Sequence, residues 1–322
     1  MKLVSLLTVF ALLFGNIAAA GAQASRSITI IAPSAAGGPT DMIARFLAER
    51  MRAPLGQSVV VENVTGAAGN IASGRVARAA PDGHTIIMGQ TSTHVFNGAI
   101  YSLPFDVVKD FEPVALVATT SQLIVSRKGV PAMDLRDLIS WLRANSEKAT
   151  MATIGPGSPA HIGGILLQRI TGTTFQFIPY RGGAPGMTDL LAGRIDIMMP
   201  QASLALPHVR AGTIKAYAVT APSRLDSAPE IPTVDEAGAA GLHVLIWQAL
   251  WAPKGTPRDI VGRLNSAVVE ALADQNVRRR LIEVGHEIPL PSQQTPEALR
   301  AFQQAEIERW WPVIKAANIR IN

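Results

Sequence analysis

Short runs of β-branched and other apolar residues alternate along this chain with stretches whose apolar positions recur at helical spacing. The first run, Ile28-Thr29-Ile30-Ile31-Ala32, stops at Pro33 and turns through Ser34-Ala35-Ala36-Gly37-Gly38. Pro39 follows, suited to a first helical position because its missing N–H would be unpaired there anyway. Met42, Ile43, Phe46, Leu47 and Met51 then mark one apolar helical face. The pattern predicts a strand, a small-residue loop and a helix, and the unit recurs. Residues 59–61 precede Gly66-Ala67-Ala68-Gly69-Asn70 and a helix through Ile71 and Val76. Residues 85–88 follow the Asp82-Gly83 turn and end in Gln90-Thr91-Ser92-Thr93-His94. Residues 150–154 lead into Gly155-Pro156-Gly157-Ser158-Pro159-Ala160 and a helix carrying Ile162, Ile165 and Leu166. Residues 175–178 lead into Tyr180-Arg181-Gly182-Gly183-Ala184-Pro185-Gly186, then Met187, Leu190 and Leu191. Residues 195–199 lead through Pro200-Gln201 into a helix with Leu204 and Val209. Such alternation implies an α/β protein with right-handed crossovers and parallel sheets, whose ligands bind beyond the carboxyl ends of the strands.

Two stretches break this rhythm. Residues 113–127 and 243–253 are β-rich runs longer than the usual strand of about 5–6 residues. They predict two strands crossing between lobes. The chain builds a first lobe over 25–121 and a second over 122–248, then returns to the first over 249–322. Length agrees, since 322 residues exceed the size at which one core keeps growing. The returning segment predicts a helix capped by Thr256, opened by Pro257, and packed through Ile260, Val261, Leu264, Val268 and Leu272. Thr295-Pro296 opens a last helix with Leu299, Phe302 and Trp310. Trp247 and Trp251 alternate on the second crossing strand and are expected to pack at the hinge.

The chain's first residues place it in a compartment. Lys2 precedes an almost wholly apolar stretch from Leu3 to Phe14, and small residues end in Ala22-Gln23-Ala24. A charged start, a short apolar core and an A-x-A end describe a secretory signal peptide over 1–24, cleaved near Ala24 to leave Ser25 first. No later apolar run reaches the roughly 18 residues of a membrane span, so a soluble exported protein is expected. The absence of cysteine excludes a disulfide scaffold, thiolate catalysis and cysteine metal sites. The formal net charge is +5, one unit of it on Lys2, and Arg278-Arg279-Arg280 is the only tight basic run. That run reads as a solvated helix face, and export makes nucleic acid no partner.

The loops read as anion sites. A helix start offers unpaired N–H groups and the positive end of its dipole. A carboxylate taken out of water must recover its hydrogen bonds, and backbone N–H groups at Ala36 to Gly38 and in the other small-residue turns are placed to supply them. Charge-assisted bonds contribute about 1.5–3 kcal/mol each, so a few suffice for micromolar affinity near −8 kcal/mol. Gly155 to Ala160 fits a dinucleotide pattern, but two prolines interrupt it and no acid for a ribose ends the next strand. Ser158 and His161 are spaced to meet on one helical turn, as a hydrolase would need. No G-x-S-x-G elbow or orienting acid accompanies them, so a ligand-donating serine and a cleft-lining or capping histidine is the alternative. The six histidines form no i, i+4 pair and no H-E-x-x-H, so no metal is expected. Asp41 and Asp189 lie early in predicted helices, where the dipole favours a carboxylate. Tyr180 serves as cleft wall or packing, and Arg181, the one cation in a predicted site loop, pairs either a second carboxylate or a surface acid.

Several motifs occur in one order: Gly37-Gly38-Pro39-Thr40-Asp41, Gly66 to Asn70, Pro81-Asp82-Gly83-His84-Thr85, Gly155 to His161, and Pro179-Tyr180-Arg181-Gly182. They continue with Ala205-Leu206-Pro207-His208-Val209-Arg210-Ala211-Gly212 and Ile231-Pro232-Thr233-Val234-Asp235-Glu236-Ala237-Gly238. The ordered set resembles the tripartite tricarboxylate transporter receptors, the Bug family of periplasmic solute-binding proteins, over essentially the whole mature chain. The resemblance implies a Venus-flytrap fold, two α/β lobes joined by two crossing strands with the ligand between them. It implies a non-enzymatic, periplasmic, monomeric receptor without cofactor that delivers a small organic carboxylate to the small and large membrane subunits of a transporter. Many family members are encoded without such a transporter. The alternatives are an exported hydrolase, or a ligand-sensing receptor feeding a signalling partner. Carried onto this chain, the first-lobe site comprises Ser34, Ala35, Ala36, Gly37, Gly38, Thr40 and Asp41, with Thr91, Ser92, Thr93 and His94 beside it. The second lobe contributes Gly157, Ser158, His161, Tyr180, Arg181, Gly182 and Gln201. Family members commonly carry an acid or amide directly after the strand that here ends at Met199, where this chain has Pro200-Gln201. Without a carboxylate there, an amino-acid ligand lacks an ammonium partner, which favours plain mono- or dicarboxylates.

Overall fold

Strand–helix units fill two separate sheets in the computed structural model, which describes residues 26–283 and 285–320. The expected leader and its cleavage point lie outside the described residues. In the first lobe, β1 (Ile28–Ala32) pairs in parallel with β2 (Val59–Asn63) and β3 (Thr85–Gln90). Strand β10 (Leu245–Pro253) then runs antiparallel between β3 and β4 (Phe111–Ser121), giving the order β2-β1-β3-β10-β4. In the second lobe, β6 (Thr150–Thr153) is parallel to β7 (Gln176–Pro179) and β8 (Ile197–Met198). Strand β5 (Leu123–Arg127) is antiparallel to β8 and to β9 (Ile214–Val219), giving β7-β6-β8-β5-β9. Each sheet is therefore mixed, not wholly parallel as the alternation suggested. The strand–helix units make the parallel half. Only the strands that enter a lobe, β5 and β10, run from the other end; β4 and β9 leave in the direction of the parallel strands and pair antiparallel with those two.

The helices follow their apolar faces. In α1 (Pro39–Leu55), Ile43, Leu47, Met51 and Leu55 are buried with Val261, Leu264 and Val268 of α8 (Arg258–Ala273) and with one face of the first sheet. Each such side chain contributes roughly 1.5–3 kcal/mol relative to exposure. Helix α10 (Pro296–Ala316) starts as expected, with Thr295 Oγ1 accepting from Ala298 N at 3.1 Å. Thr256 does not cap α8: its hydroxyl donates to Pro253 O at 2.7 Å, and Pro257 occupies the cap position without a side-chain bond. The hydroxyl closes the turn that ends β10 instead.

The two crossings lie side by side. The run 113–127 is broken at Gln122, whose backbone leaves the first sheet and enters the second. Thr220, just past β9, pins both crossings. Its N–H donates to Gln122 O at 2.9 Å, its Oγ1 accepts from Gln122 N at 3.1 Å, and the same hydroxyl donates to Val244 O at 2.9 Å. Trp247, Trp251 and Trp310 are fully buried in the first lobe. Glu306 Oε2 accepts from the indole N–H groups of Trp247 and Trp310 at 3.2 and 3.3 Å. Trp247 pairs with Thr119 near the crossing, but Trp251 pairs with Ile87 and Pro113 inside the first sheet and stacks on His94, so it packs the first lobe's core and not the expected hinge.

Candidate binding site

The cleft between the lobes holds two adjoining compartments of about 570 and 410 Å³. They share Ser34, Gln90, Ile154, Pro159, Gln201 and Ile246, so they form one continuous space. Both sheets present their strand ends to it: Gln90 ends β3, Thr153 ends β6, and Met198 ends β8. Four helices start at its wall. These are α1, α5 (Pro159–Thr171), α6 (Gly183–Leu191) and α7 (Ala202–Arg210). Only α5 has a side-chain cap, from Ser158; the caps of α1, α6 and α7 are Gly38, Gly182 and Gln201, which make no such bond. The N–H groups of Gly183 and Ala184 in α6 and of Ala202 and Ser203 in α7 are thus open to an acceptor from outside, at the positive ends of two dipoles, while Pro185 has no N–H and Leu204 N donates to Gln201 O at 3.0 Å.

Among the described residues, the lining of both compartments includes no Asp, Glu, Lys, Arg or His. The wall is neutral, and its polar groups are hydroxyls, amides and backbone. An anion held here is solvated by fixed dipoles without a counter-charge, the arrangement seen at helix N-termini and backbone nests.

Nine of the residues anticipated from sequence come together at this wall. Ser34, Thr40, Gly182 and Gln201 line the larger compartment; Ala35, Thr91, Ser92, Gly157 and Ser158 line the smaller, with Ser34 and Gln201 in both. The other nine, Ala36, Gly37, Gly38, Asp41, Thr93, His94, His161, Tyr180 and Arg181, lie outside both linings. Two of the backbone donors assigned to a ligand are already used: Gly37 N donates to Asp41 Oδ2 at 2.8 Å, and Gly38 N to Ala35 O at 3.2 Å. Asp41 organises that loop, also accepting from Arg45 at 3.0 Å and Asn63 at 2.9 Å. Burial pushes its carboxyl upward, but the bonds from Arg45, Gly37 and Asn63 outweigh this and hold it below the usual range.

His94 turns into the core. A π-type turn over Ser92–Phe96 rotates its ring onto Trp251, stacked at 3.8 Å between centroids, and burial drives its pKa down to about 3. Gly89 makes the room, since a Cβ there would stand 2.3 Å from the His94 ring. Thr93 Oγ1 closes the same turn, accepting from Gln90 N at 2.9 Å. Tyr180 donates to Asp189 at 2.8 Å, and Arg181 is exposed. Ser158 and His161 build a helix start. Ser158 Oγ accepts from His161 N at 3.3 Å, and the ring Nδ1 accepts from Gly157 N at 3.1 Å. With Nδ1 accepting from the backbone, the neutral ring carries its proton on Nε2 and has no lone pair left to activate Ser158.

The family model for the tripartite tricarboxylate transporter family receptor matches residues 43–319. This chain belongs to that family. The receptor is similar to MatC from Rhodopseudomonas palustris, solved with bound malate, at 39% identity and a TM-score of 0.79, covering 90% of this chain and 99% of that one. It is similar to the periplasmic binding protein BugD, at 36% identity and 0.78, covering 92% and 99%. R. palustris Rpa4515, solved with adipate, aligns at 33% identity and 0.80, covering 93% and 100%. The fold is therefore the two-lobed periplasmic-binding-protein fold, and the family is one of solute-binding receptors, not enzymes. Among the described residues, no helix is long and apolar enough to cross a membrane.

Sequence reasoning missed part of the receptor's wall: Gln90, Gln122, Gln248, Thr153 and Ser203 all line the larger compartment. A signal for one of them was present. Gln248 is an amide inside an otherwise apolar run, whereas Gln122 follows Thr119-Thr120-Ser121; both are buried, at 1% and 2% exposure. A buried amide in a strand needs a partner, and a cleft supplies one.

Proposed function

We propose that this receptor captures a small organic carboxylate between its lobes in the periplasm and delivers it to the membrane subunits of a tripartite tricarboxylate transporter. The observation that carries this reading is the neutral cleft wall onto which α1, α6 and α7 open without side-chain caps. Such a wall favours an anion small enough to be ringed by N–H groups. It gives an ammonium group no carboxylate to pair with. The similar proteins solved with malate and adipate support the same ligand class. The leader over residues 1–24 supports export, with the mature chain starting near Ser25.

A thermal-shift screen on the purified mature protein tests the reading. A ligand at about 100 times its Kd adds about 2.7 kcal/mol of stability, so mono- and dicarboxylates should raise the midpoint by several degrees. Matched amines, amides and sugars should not. Stabilisation by the uncharged or cationic compounds alone would overturn the proposal.

A further inference from the structure

The cleft contains a fixed hydrogen-bond acceptor that a plain carboxylate cannot satisfy. Gln122 sits at the first crossing, 2% exposed, and its side chain lines the larger compartment. Its Nε2 donates to Met199 O at 2.6 Å. That bond fixes the amide, because the reversed orientation would set Oε1 against a carbonyl oxygen. Its backbone is equally pinned, through the paired bonds with Thr220. Gln122 Oε1 is left buried with no hydrogen-bond partner among the described residues. Two further cleft atoms share that condition, Gln248 Oε1 and Ser34 Oγ. Gln90 differs: its Oε1 accepts from Thr40 Oγ1 at 3.2 Å.

Resting on the reading of this cleft as a carboxylate site, we infer that the ligand also carries a hydroxyl, and that Gln122 selects the hydroxy acid over its deoxy counterpart. Carboxylate oxygens only accept, and two acceptors facing each other repel. The wall therefore needs donors toward the carboxylate ends, which the helix starts provide, and a ligand donor toward Gln122 Oε1. An ammonium would donate too, but the lining holds no acid to offset its charge. A hydroxyl donates without bringing a charge. A deoxy acid leaves Oε1 as unpaired as it is without ligand, whereas a hydroxyl supplies the missing donor and strengthens binding by about tenfold or more.

Matched ligands test this by isothermal titration. Malate, succinate and aspartate share one skeleton and differ only in a hydroxyl, a hydrogen or an ammonium group. The pairs 2-hydroxyglutarate with glutarate, and 2-hydroxyadipate with adipate, cover longer spacings. At whichever length binds best, the hydroxy acid should exceed the deoxy acid by about tenfold or more, and aspartate should bind more weakly than malate. In Gln122→Met that ratio should fall to about threefold or less, mainly by loss of hydroxy-acid affinity. Gln122→Asn, which keeps an amide but draws its oxygen back, serves as a second variant should Gln122→Met not fold, and should also narrow the ratio. Equal or inverted affinities in the wild-type protein, or an unchanged ratio in the folded variants, would overturn the role of the hydroxyl. Binding of none of these acids would instead overturn the carboxylate reading beneath it.

Discussion

Ala184→Asp should move stability and affinity in opposite directions. Ala184 is exposed on the first turn of α6 and lines the larger compartment, beside a cap residue, Gly182, that makes no side-chain bond. An aspartate there meets the helix dipole and should stabilise the fold by about 0.3–1 kcal/mol. The same carboxylate stands near the bound anion in a wall without counter-charge. At about 7 Å and an effective dielectric constant near 20, the repulsion is about 2.4 kcal/mol, or roughly 50-fold in Kd. Ala184→Asn keeps the shape without the charge and should bind nearly as the wild type. Titration calorimetry with the best carboxylate from the screen reads the affinity, and urea unfolding reads the stability. Raising salt to about 1 M shortens the screening length to about 3 Å and should restore much of the lost affinity. Undiminished binding in the aspartate variant, or an equal loss in the asparagine variant, would refute an anion held at the start of α6.

Three further outcomes follow from named contacts. Glu306→Ala strands the buried indole N–H groups of Trp247 and Trp310 and should cost about 2–5 kcal/mol in urea unfolding, with Glu306→Gln costing less because an acceptor remains. Burial holds His94 neutral down to about 3 and His286 down to about 4. An unfolded histidine protonates near 6.5, so their contribution is full above about pH 6.5 and is lost as pH falls, at about 1.4 kcal/mol per unit for each. The midpoint of urea unfolding should fall between about pH 6.5 and 4.5, and less steeply in a His94→Phe/His286→Leu protein; an unchanged slope there would contradict the assignment. Gly157 has φ +76°, and a Cβ on it would lie 2.8 Å from Ile100 Cδ1 of the other lobe. Gly157→Val should therefore hold the lobes apart, weakening carboxylate binding and enlarging the ligand-bound particle in small-angle scattering. A particle that contracts like the wild type would refute that contact.

Much of this architecture is written locally. Pro39, Pro159 and Thr295-Pro296 mark helix starts whose chemistry needs only neighbouring residues, and each helix begins there. Of the two β-rich runs, the first does pass from one sheet to the other, splitting into β4 and β5 at Gln122, whereas the second is one strand, β10, wholly within the first sheet. Two features depended on distant partners, and a third on a side chain four residues along. The break at Gln122 is set by Thr220, 98 positions away, which takes both of its backbone groups. The direction of His94 is set by Trp251 and by the space above Gly89, so a histidine in a strand-end loop became core. The loop around Gly37 and Gly38 looked like a ring of free donors, but Asp41, four residues on, had already claimed one. Of the cleft glutamines only Gln248 stood out as an amide in an apolar run, and only the pairing of two sheets shows what it faces.

A crystal structure with the tightest-binding carboxylate tests the central claim most directly. The ligand should lie between the lobes, within the space shared by Ser34, Gln90 and Gln201. Its carboxylate oxygens should accept from first-turn N–H groups of α6 or α7, with no lysine, arginine or histidine within hydrogen-bond distance. A carboxylate paired with Arg181 or another cation, or one bound outside this cleft, would contradict it.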